Sequence, residues 1–444
     1  MPVFQPLWKQ LSLRGLVAQT ARVQASTNIT GVYTGVDPTA NSLHLGNLVA
    51  FMPLFHAYLN GFPSFALVGD ATAQLGDPTG RTESRTRLSK RVFSENTSAL
   101  VNQLSFLSQR VVSYARYCDY STTDTPDERN WHIVQNSSWY SGMGLLDFLN
   151  KIGSTARVNQ MLARDSVSSR LRSPTGLSFS EFTYQLLQAY DFYYLATHSN
   201  VNLQIGGNDQ WGNVTAGVDF VHRKLGDNKA FALTTPLLTT SNGVKFGKST
   251  GNAVWIDKTK TDAYALYQFF VSLPDKMIPI LLKQLTFLSV ERIGELEQQH
   301  SRKPEDRLLH RALASHVVYF LHGKDAVDTA IKVSNILYAS KRNAQGFYWP
   351  PEPDYGNHSL KDLLQKTSAF VKIPRAIQSL PVCRLLRECG LFNSRKEASD
   401  CIENGKVMLG NEILKDSNLI TNFPPESLVC LRFGKKAYAL YFAE

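Results

Sequence analysis

Apolar and polar positions in the first part of the chain alternate between the spacing of a β-strand and the spacing of an α-helix. Residues 31–37 (GVYTGVD) are typical of a strand, and residues 45–60 (LGNLVAFMPLFHAYLN) have the spacing of a helix that stops at Gly61. A second strand pattern follows at 63–70 (PSFALVGD). A strand, a helix and a strand at this spacing predict a βαβ unit with parallel strands.

The same alternation returns between residues 179 and 207. Residues 179–196 (FSEFTYQLLQAYDFYYLA) predict a long apolar and aromatic helix, and residues 201–207 (VNLQIGG) predict a buried strand that ends in a glycine turn. Ligands of open parallel sheets bind beyond the carboxyl ends of the strands. We therefore expect the strand ends GVD, GDPTG and GGNDQ to meet at one site.

The pattern changes at about residue 258, where helical periodicity with few strand patterns begins. Residues 347–357 (FYWPPEPDYGN) form a proline-rich break, and the end of the chain returns to a mixed pattern. We predict an α/β fold with a Rossmann-like parallel-sheet domain at 1–257. We also predict a helical domain at 258–365, with a proline-rich insertion near 345–360. The last predicted domain is a small α/β domain at 366–444.

Composition adds a basic balance to this picture. The chain has 47 Lys and Arg against 37 Asp and Glu, a formal net charge of +10. This excess favours an acidic partner such as nucleic acid, although basic mitochondrial proteins without an RNA function have a similar charge. No apolar run approaches the ~18 residues of a membrane span, so no membrane partner is expected. The five cysteines match no common zinc spacing, and we expect no protein-bound metal site.

The N-terminal segment has no acidic residue before Asp37. It contains Lys9, Arg14 and Arg22 among apolar and hydroxyl residues. An acid-free leader that contains arginine is typical of a mitochondrial transit peptide, although the same segment can also belong to the fold. The sequence thus favours the mitochondrial matrix, with a bacterial cytoplasm as the alternative.

His44 and Gly46 lie where the helix at 45–60 is predicted to begin. The N-terminus of a helix offers unpaired N–H groups and positive potential, so a polyphosphate could bind there. Thr39, His44 and Asn47 would add side-chain donors. A structural or surface histidine is the alternative, and the residues alone leave both open.

Two more stretches have the residue types of a nucleotide site. In GVKFGKST, Lys245, Lys248 and Ser249 form a cationic loop that could hold a leaving phosphate, and a solvated turn is the alternative. In LQIGGNDQWGN, Gly207 permits a close backbone approach and Asp209 is suited to accept from ribose hydroxyls. A glycine turn with a helix-capping aspartate would give the same pattern.

Taken together, these stretches resemble one family. HLGN (44–47) followed by KFGKS (245–249) is similar to the paired signature of class I aminoacyl-tRNA synthetases. With YTGVDPTANSLHLGN, GDPTG, SFSEFTYQLLQAYDF and LQIGGNDQWGN, the chain resembles the tyrosyl-tRNA synthetases of the bacterial and mitochondrial type from about residue 14 to its end. The resemblance implies a homodimeric ligase that activates L-tyrosine with ATP and Mg²⁺ and then transfers it to tRNA-Tyr. It also implies that the helical domain recognises the anticodon.

The resemblance further implies the site residues. The groups around the reacting phosphates would be Thr39, His44, Asn47, Lys245, Lys248 and Ser249. ATP would also contact Gly35, Asp37, Gly46, Gly207 and Asp209. For tyrosine, the phenol would meet Tyr33 and Asp191, the ammonium group would meet Asp77, Tyr184 and Gln188, and the carboxylate would lie near Gln210. Tyr184, Gln188 and Asp191 are four and three positions apart on the predicted helix, so they share a face.

Two departures from the family pattern stand out. Asn47 occupies a position where relatives more often have histidine, and an amide can donate a hydrogen bond but carries no charge. Asp70 and Ala73 stand where many relatives have glycine. A tryptophanyl relative is disfavoured by the pair Tyr33 and Asp191. A non-catalytic RNA-binding protein built on this fold, such as an intron-splicing factor, is the alternative from another class.

The C-terminal stretch 380–414 resembles the small RNA-binding domain that these enzymes share with a ribosomal protein. We expect a helix pair around SRKEASDCIENG and then a tight strand, KVMLGNEIL. Phosphate contacts with tRNA are expected for Arg384, Arg387, Arg395, Lys396 and Lys406, and a solvated basic face is the alternative. Contact with the tRNA acceptor end is a further hypothesis for the loop at 81–91 and for Arg164, Arg170 and Arg172.

Overall fold

The computed structural model describes residues 3–80, 88–120, 126–239, 253–338, 360–410, 412–421 and 423–443. They form two compact units, Met1–Asp257 with Lys276–Pro304, and Lys258–Asp275 with Glu305–Glu444. The break after residue 257 coincides with the predicted change of pattern. However, Lys276–Pro304 belongs to the first unit, and the helices after Glu305 share one unit with the C-terminal α/β segment.

Seventeen α-helices occur among the described residues, numbered here in chain order. They are α1 (Phe4–Leu13), α2 (Leu45–Leu59), α3 (Lys90–Tyr117), α4 (Ser137–Tyr140), α5 (Leu145–Lys151), α6 (Val158–Leu162), α7 (Asp165–Leu171), α8 (Phe179–His198), α9 (Trp211–Leu225), α10 (Ala263–Val271), α11 (Ile278–Leu285), α12 (Val290–Arg302), α13 (Leu308–His322), α14 (Lys324–Tyr338), α15 (Leu360–Gln365), α16 (Val382–Glu388) and α17 (Arg395–Glu403). In this described part, no helix combines the length and the apolar character that a membrane crossing requires.

A six-stranded sheet forms the centre of the first unit. Its strands are β1 (Gln19–Ala21), β2 (Val32–Val36), β3 (Ser64–Val68), β4 (Trp131–Gln135), β5 (Leu203–Gly207) and β6 (Phe231–Thr235). They lie in the order β1–β6–β5–β2–β3–β4, and every pair is parallel except β1 with β6. The Rossmann-like α/β sheet is confirmed, with one antiparallel strand at its edge.

Helices α2 and α8 pack in this unit in different ways. Twelve of the fifteen residues of α2 are buried, so the helix is apolar on nearly all sides instead of amphipathic. Helix α8 begins with a capping box, in which the Ser178 hydroxyl accepts from the Glu181 N–H (3.2 Å) and the Glu181 carboxylate accepts from the Ser178 N–H (3.2 Å). Glu181 also pairs with Arg170, whose side chain is 0% exposed, at 3.1 Å.

Burial changes the interpretation of two arginines. Arg170 is enclosed beneath the start of α8, so it offers no surface to RNA, and the hypothesis of a tRNA contact there is wrong. Arg164 is half-buried and donates to the Gly212 carbonyl and to the Thr215 hydroxyl. Arg172 is exposed, and its contact with tRNA stays a prediction.

The acid-free N-terminal segment is part of the first unit. Phe4, Leu7 and Leu11 bury one face of α1, and β1 extends the sheet. The Arg14 guanidinium is 2% exposed and donates to three backbone carbonyls, those of Lys283 (3.2 Å), Thr286 (2.9 Å) and Leu288 (2.7 Å). The segment therefore contributes both apolar side chains and a buried arginine to the first unit.

The second unit combines helices α10 and α13–α17 with a five-stranded sheet. The strands are β7 (Phe370–Ile373), β8 (Val407–Leu409), β9 (Glu412–Ile413), β10 (Leu428–Phe433) and β11 (Lys436–Phe442), in the order β7–β11–β10–β8–β9. Only β7 and β11 are parallel. The stretch KVMLGNEIL, expected to form one strand, is the hairpin β8–β9, because Gly410 has φ +59° and turns the chain.

Candidate active site

The carboxyl ends of β2, β3 and β5 meet, as the sequence predicts. These strands are neighbours in the sheet, so the segments that follow them lie at one edge. The Tyr184 hydroxyl on α8 donates to Asp37 after β2 (2.9 Å), and the Gln210 amide after β5 donates to Asp77 after β3 (2.7 Å). Side chains from GVD, GDPTG and GGNDQ thus share one site with α8.

His44 is the N-cap of α2. Its Nδ1 accepts from the Asn47 N–H (3.2 Å), and the Asn47 side-chain oxygen accepts from the His44 N–H (3.1 Å). These reciprocal bonds form a capping box. Because Nδ1 is an acceptor, a neutral His44 ring carries its proton on Nε2, where it can donate to a ligand. The backbone N–H and the side-chain amide of Asn47 therefore hold His44 in place without a charge.

The chain after the predicted lysine loop pairs with the start of α2. His44 forms an antiparallel bridge with Trp255, and their rings are 6.2 Å apart. Leu45 donates to the Val254 carbonyl (3.0 Å). Lys245, Lys248 and Ser249 lie outside the described residues, as do most of the loop at 81–91 and of the insertion near 345–360. The segment that follows the lysines nevertheless ends beside His44.

Asp37 is held by two hydroxyl donors. Tyr184 donates to its Oδ2 (2.9 Å) and Thr72 donates to its Oδ1 (3.0 Å). A side chain at Gly69 would overlap both the Asp37 carboxylate and the Thr72 hydroxyl, so only glycine fits there. Burial, together with Asp37, raises the pKa of Tyr184 well above its usual range and keeps this phenol a donor.

Asp77 is the centre of a second polar cluster. Its carboxylate accepts from the Gln210 amide (2.7 Å), the Thr79 N–H (3.0 Å) and the Asn213 amide (3.3 Å). Asn213 also donates to the Gln210 side-chain oxygen (3.0 Å). Asp37 and Asp77 both act electrostatically on Tyr184. Two carboxylates beside one phenol make this corner of the site negative, which suits an ammonium group.

Two buried polar atoms on the same side of the site have no hydrogen bond to any described residue. They are the Tyr33 hydroxyl and the Gln188 side-chain oxygen. Tyr33 is 2% exposed, packs against Phe192 and has its pKa raised well above the usual range by burial and by Asp191. Leaving such a group unpaired costs about 1–3 kcal/mol, which makes these two atoms candidate contacts for a ligand.

Asp191, on α8, is 2% exposed and accepts three hydrogen bonds. The donors are the Asn136 amide (3.1 Å), the Trp139 indole (2.9 Å) and the Tyr140 hydroxyl (2.9 Å). Burial raises the pKa of Asp191 to about 7, although the three donors act in the opposite direction.

Two glycines, Gly206 and Gly207, form the carboxyl end of β5. A Cβ at Gly207 would approach the Asp209 carboxylate to 2.8 Å, so the backbone here stays bare. Gly35 is an exposed residue of β2, and Thr39 is exposed shortly after that strand. Gly46 is the second residue of α2.

The sequence does not single out four residues that the structure adds to the site. Asn136, Trp139 and Tyr140 hold Asp191, and Asn213 holds Asp77. The first three follow β4 in the stretch WHIVQNSSWY, so the rule that sites gather beyond strand ends would have found them.

The basic residues predicted to contact tRNA lie in the second unit. All five are exposed, on α16, on α17 and just before β8: Arg384, Arg387, Arg395, Lys396 and Lys406. The apolar faces of the two helices form a core with the sheet, through residues such as Leu386, Ile402 and Leu431.

The chain is similar to one protein family and to several tyrosine–tRNA ligases. The family described as tRNA synthetases class I (W and Y) matches residues 25–339. The mitochondrial tyrosine–tRNA ligase of Schizosaccharomyces pombe is 47% identical over 97% of this chain and 98% of its own length. The mitochondrial ligase of Saccharomyces cerevisiae is 37% identical, over 96% and 87%. The tyrosine–tRNA ligase of Streptococcus suis is also 37% identical, over 98% and 99%.

A solved structure agrees with these relatives. The C-terminally truncated mitochondrial tyrosyl-tRNA synthetase of Aspergillus nidulans superimposes with a TM-score of 0.67 and is 32% identical. The match covers 75% of this chain and 94% of that one.

Proposed function

The chain belongs to the class I tyrosyl-tRNA synthetases, and we propose on that premise how its residues divide the work of the reaction. The enzyme joins L-tyrosine to tRNA-Tyr. In the first step, tyrosine and ATP give tyrosyl-adenylate and pyrophosphate. In the second, the tyrosyl group passes to the 3′ end of the tRNA.

Adenylate formation needs little covalent help from the protein, because the carboxylate of tyrosine is itself the nucleophile. His44 donates from Nε2 to the α-phosphate, where negative charge develops, and Thr39 adds a donor at the mouth of the site. Mg²⁺ enters with ATP as part of the substrate. Gly35, Asp37, Gly46, Gly207 and Asp209 line the nucleotide side.

The pyrophosphate is assigned to Lys245, Lys248 and Ser249. The bridge between His44 and Trp255 supports this assignment, because the segment that follows the lysines ends at the helix start where the phosphates would bind.

Tyrosine binds with its phenol between Tyr33 and Asp191. The observation that carries this proposal is the buried Tyr33 hydroxyl, which lies in the field of Asp191 and has no partner among the described residues. Asp77, Tyr184 and Gln188 take the ammonium group, and Gln210 lies near the carboxylate. Phenylalanine, which lacks the hydroxyl, would leave Tyr33 and Asp191 unsatisfied, so the site rejects it.

Exchange of labelled pyrophosphate into ATP tests this proposal. We expect exchange that depends on tyrosine, with Asp191→Ala losing most of its preference for tyrosine over phenylalanine. Asp165→Ala, which removes an aspartate outside the site, is the control. Exchange that depends on tryptophan instead, or an Asp191→Ala enzyme with intact selectivity, would contradict the assignment.

RNA recognition is assigned to the second unit. The exposed residues of α16, α17 and the start of β8 contact tRNA phosphates, and the helices before residue 366 recognise the anticodon. The exposure of all five basic side chains supports the first assignment. The second follows from the family alone.

The active form is a homodimer. Support comes from the segment 145–179, where apolar side chains are unusually exposed, among them Leu145 and Leu146 at 74% and Phe179 at 75%. Several large exposed apolar side chains in one segment mark an interaction surface in a soluble protein. We assign this surface, from α5 to the start of α8, to a second copy of the chain.

The compartment is assigned to mitochondria. Two of the relatives and the solved structure described above are mitochondrial enzymes, whereas the Streptococcus suis relative keeps a bacterial origin open as the alternative. Fractionation of source cells with an antibody to the protein would decide between these two assignments.

A further inference from the structure

The two oxygens of the Asp191 carboxylate have different surroundings. Oδ1 accepts from the Trp139 indole (2.9 Å) and from the Tyr140 hydroxyl (2.9 Å). Oδ2 accepts from the Asn136 amide alone within the described part of the chain (3.1 Å). Because each carboxylate oxygen has two lone pairs, Oδ1 is fully occupied and Oδ2 retains one acceptor position.

The Tyr140 hydroxyl has one proton and two acceptors. It lies 2.7 Å from the Leu187 carbonyl and 2.9 Å from Asp191 Oδ1. Leu187 is one turn before Asp191 on α8, so Tyr140 contacts both the helix backbone and the carboxylate. Burial raises the pKa of Tyr140 well above its usual range, so the hydroxyl stays a donor. Its proton can turn to Asp191 when the carboxylate is charged, and to Leu187 when it is protonated.

The short helix that carries Tyr140 is anchored to the loop after β3. Asp70 accepts from the Ser137 N–H (2.9 Å) and from the Ser137 hydroxyl (2.6 Å). The Asn136 side-chain oxygen accepts from the Ala71 N–H (2.7 Å). Asp70 is one of the two positions at which this chain departs from the glycine of many relatives. Its carboxylate here fixes the turn from which the donors to Asp191 extend.

We propose that Tyr140 is a specificity-determining residue for tyrosine, which occupies Asp191 Oδ1 so that Oδ2 accepts the phenolic O–H of the substrate. Asp70 acts further out as a positioning residue for the turn that carries Tyr140. This inference rests on the proposed phenol site of Tyr33 and Asp191. The inference adds Tyr140, which orients the Asp191 carboxylate and favours its charged form.

The proposal predicts a pH dependence of tyrosine binding. The free enzyme must ionise Asp191, whose pKa is about 7, before the carboxylate can accept the phenol. Affinity therefore falls as the pH falls through 7. The titratable groups that face Asp191 or lie near it are Asp37, Tyr33, Tyr140, Tyr184 and Tyr190. The phenols stay neutral in this range, because burial raises the pKa of each of them.

The test is Tyr140→Phe, which removes the hydroxyl and keeps the ring. Equilibrium dialysis of tyrosine without ATP, between pH 5.5 and 8.5, gives the dissociation constant and its midpoint. We expect about tenfold weaker binding at pH 7, because a hydrogen bond to a charged group is lost. The midpoint should rise by about one pH unit, because the charged form of Asp191 loses a donor. The ratio of tyrosine to phenylalanine activation should fall as well, and that ratio does not depend on how much of the variant is folded.

Tyr190→Phe is the matched control, because it removes a hydroxyl from the neighbouring ring, 5.8 Å from that of Tyr140. Unchanged affinity and midpoint in Tyr140→Phe, or equal changes in the two variants, would overturn the inference. Asp191→Asn separates this from a failure of the site itself. If Asp191→Asn keeps full selectivity, the phenol site is wrong; if it loses selectivity while Tyr140→Phe does not, only the role of Tyr140 is wrong.

Discussion

At the scale of single residues, the hydrogen bonds of His44 indicate which ring nitrogen carries the proton when the imidazole is neutral. Its Nδ1 accepts the Asn47 N–H as part of the N-cap of α2, so the proton of the neutral ring is on Nε2. Asparagine at position 47, where relatives more often have histidine, is compatible with this role. Its side-chain oxygen accepts from the His44 N–H and so completes the capping box. The histidine is thus positioned by the element that it starts.

His44→Ala should slow tyrosine-dependent exchange about 100-fold at saturating substrates, the effect typical of removing one donor to a developing charge. The dissociation constant for tyrosine should stay within a factor of two or so, because His44 does not contact the amino acid. His198→Ala, which removes an exposed histidine at the end of α8, should change neither quantity. Equal losses in exchange and in tyrosine binding would contradict the assignment.

The residues that sequence reasoning finds and those that it misses differ physically. His44, Asp37 and Asp209 lie at the start of a helix or directly after a strand, positions that the chain marks with glycines. Asn136, Trp139, Tyr140 and Asn213 act through carboxylates on other elements, and their partners lie as far as 136 positions away. Only the fold brings such donors to their acceptors.

At the scale of elements, the capping box and the buried ion pair fix where α8 begins. Arg170 donates to both oxygens of Glu181 (3.1 and 3.2 Å), and the first turn of α8 depends on Glu181. Tyr184, Gln188 and Asp191 project from the following turns of the same helix. A shift at the start of α8 would therefore move all three proposed tyrosine ligands.

Arg170→Met should lower the free energy of unfolding of the first unit by about 3–5 kcal/mol, because it leaves Glu181 charged and buried without its partner. Urea unfolding followed by circular dichroism measures the change. Arg172→Met, which alters an exposed arginine two positions away, should leave the free energy of unfolding within about 0.5 kcal/mol of the wild type. A stable Arg170→Met enzyme with a raised KM for tRNA would favour the surface role instead.

Helices and strands of strong periodicity are well predicted at this scale. The residue ranges of α2, α8, β2, β3 and β5 follow directly from apolar spacing and glycine stops. The sequence leaves the acid-free segment open between a transit peptide and a part of the fold, and it predicts KVMLGNEIL as one strand. The acid-free leader is part of the core, because α1 buries its apolar face against the first unit, and the C-terminal strand becomes a hairpin at Gly410. Packing partners distant in sequence decide the first outcome, and the local turn at Gly410 decides the second.

At the scale of the whole molecule, the chain forms two compact units where the sequence predicts three domains. Lys276–Pro304 returns to the first unit because Arg14 binds its backbone carbonyls, a contact between residues more than 260 positions apart. Periodicity along the chain cannot reveal such a return. The roles assigned to the helices and to the C-terminal sheet stay predictions.

Leu146→Glu should convert the proposed homodimer into monomers. The leucine is 74% exposed on α5, and a charge there would be desolvated in an apolar interface. Light scattering behind size-exclusion chromatography should give twice the chain mass of 49.7 kDa for the wild type and the single mass for the variant. Leu13→Glu, on an exposed leucine outside the segment 145–179, should remain dimeric. A monomeric wild type, or a dimeric Leu146→Glu, would contradict the interface.

The proposed reaction requires that Tyr33 and Asp191 on one side and the start of α2 on the other face a single bound adenylate. A crystal structure with a non-hydrolysable tyrosyl-adenylate analogue tests it most directly. We predict the phenolic oxygen within hydrogen-bond distance of the Tyr33 hydroxyl and Asp191 Oδ2, and the phosphate group beside His44 Nε2. An analogue bound elsewhere, or with its phenol turned away from Tyr33 and Asp191, would contradict the account.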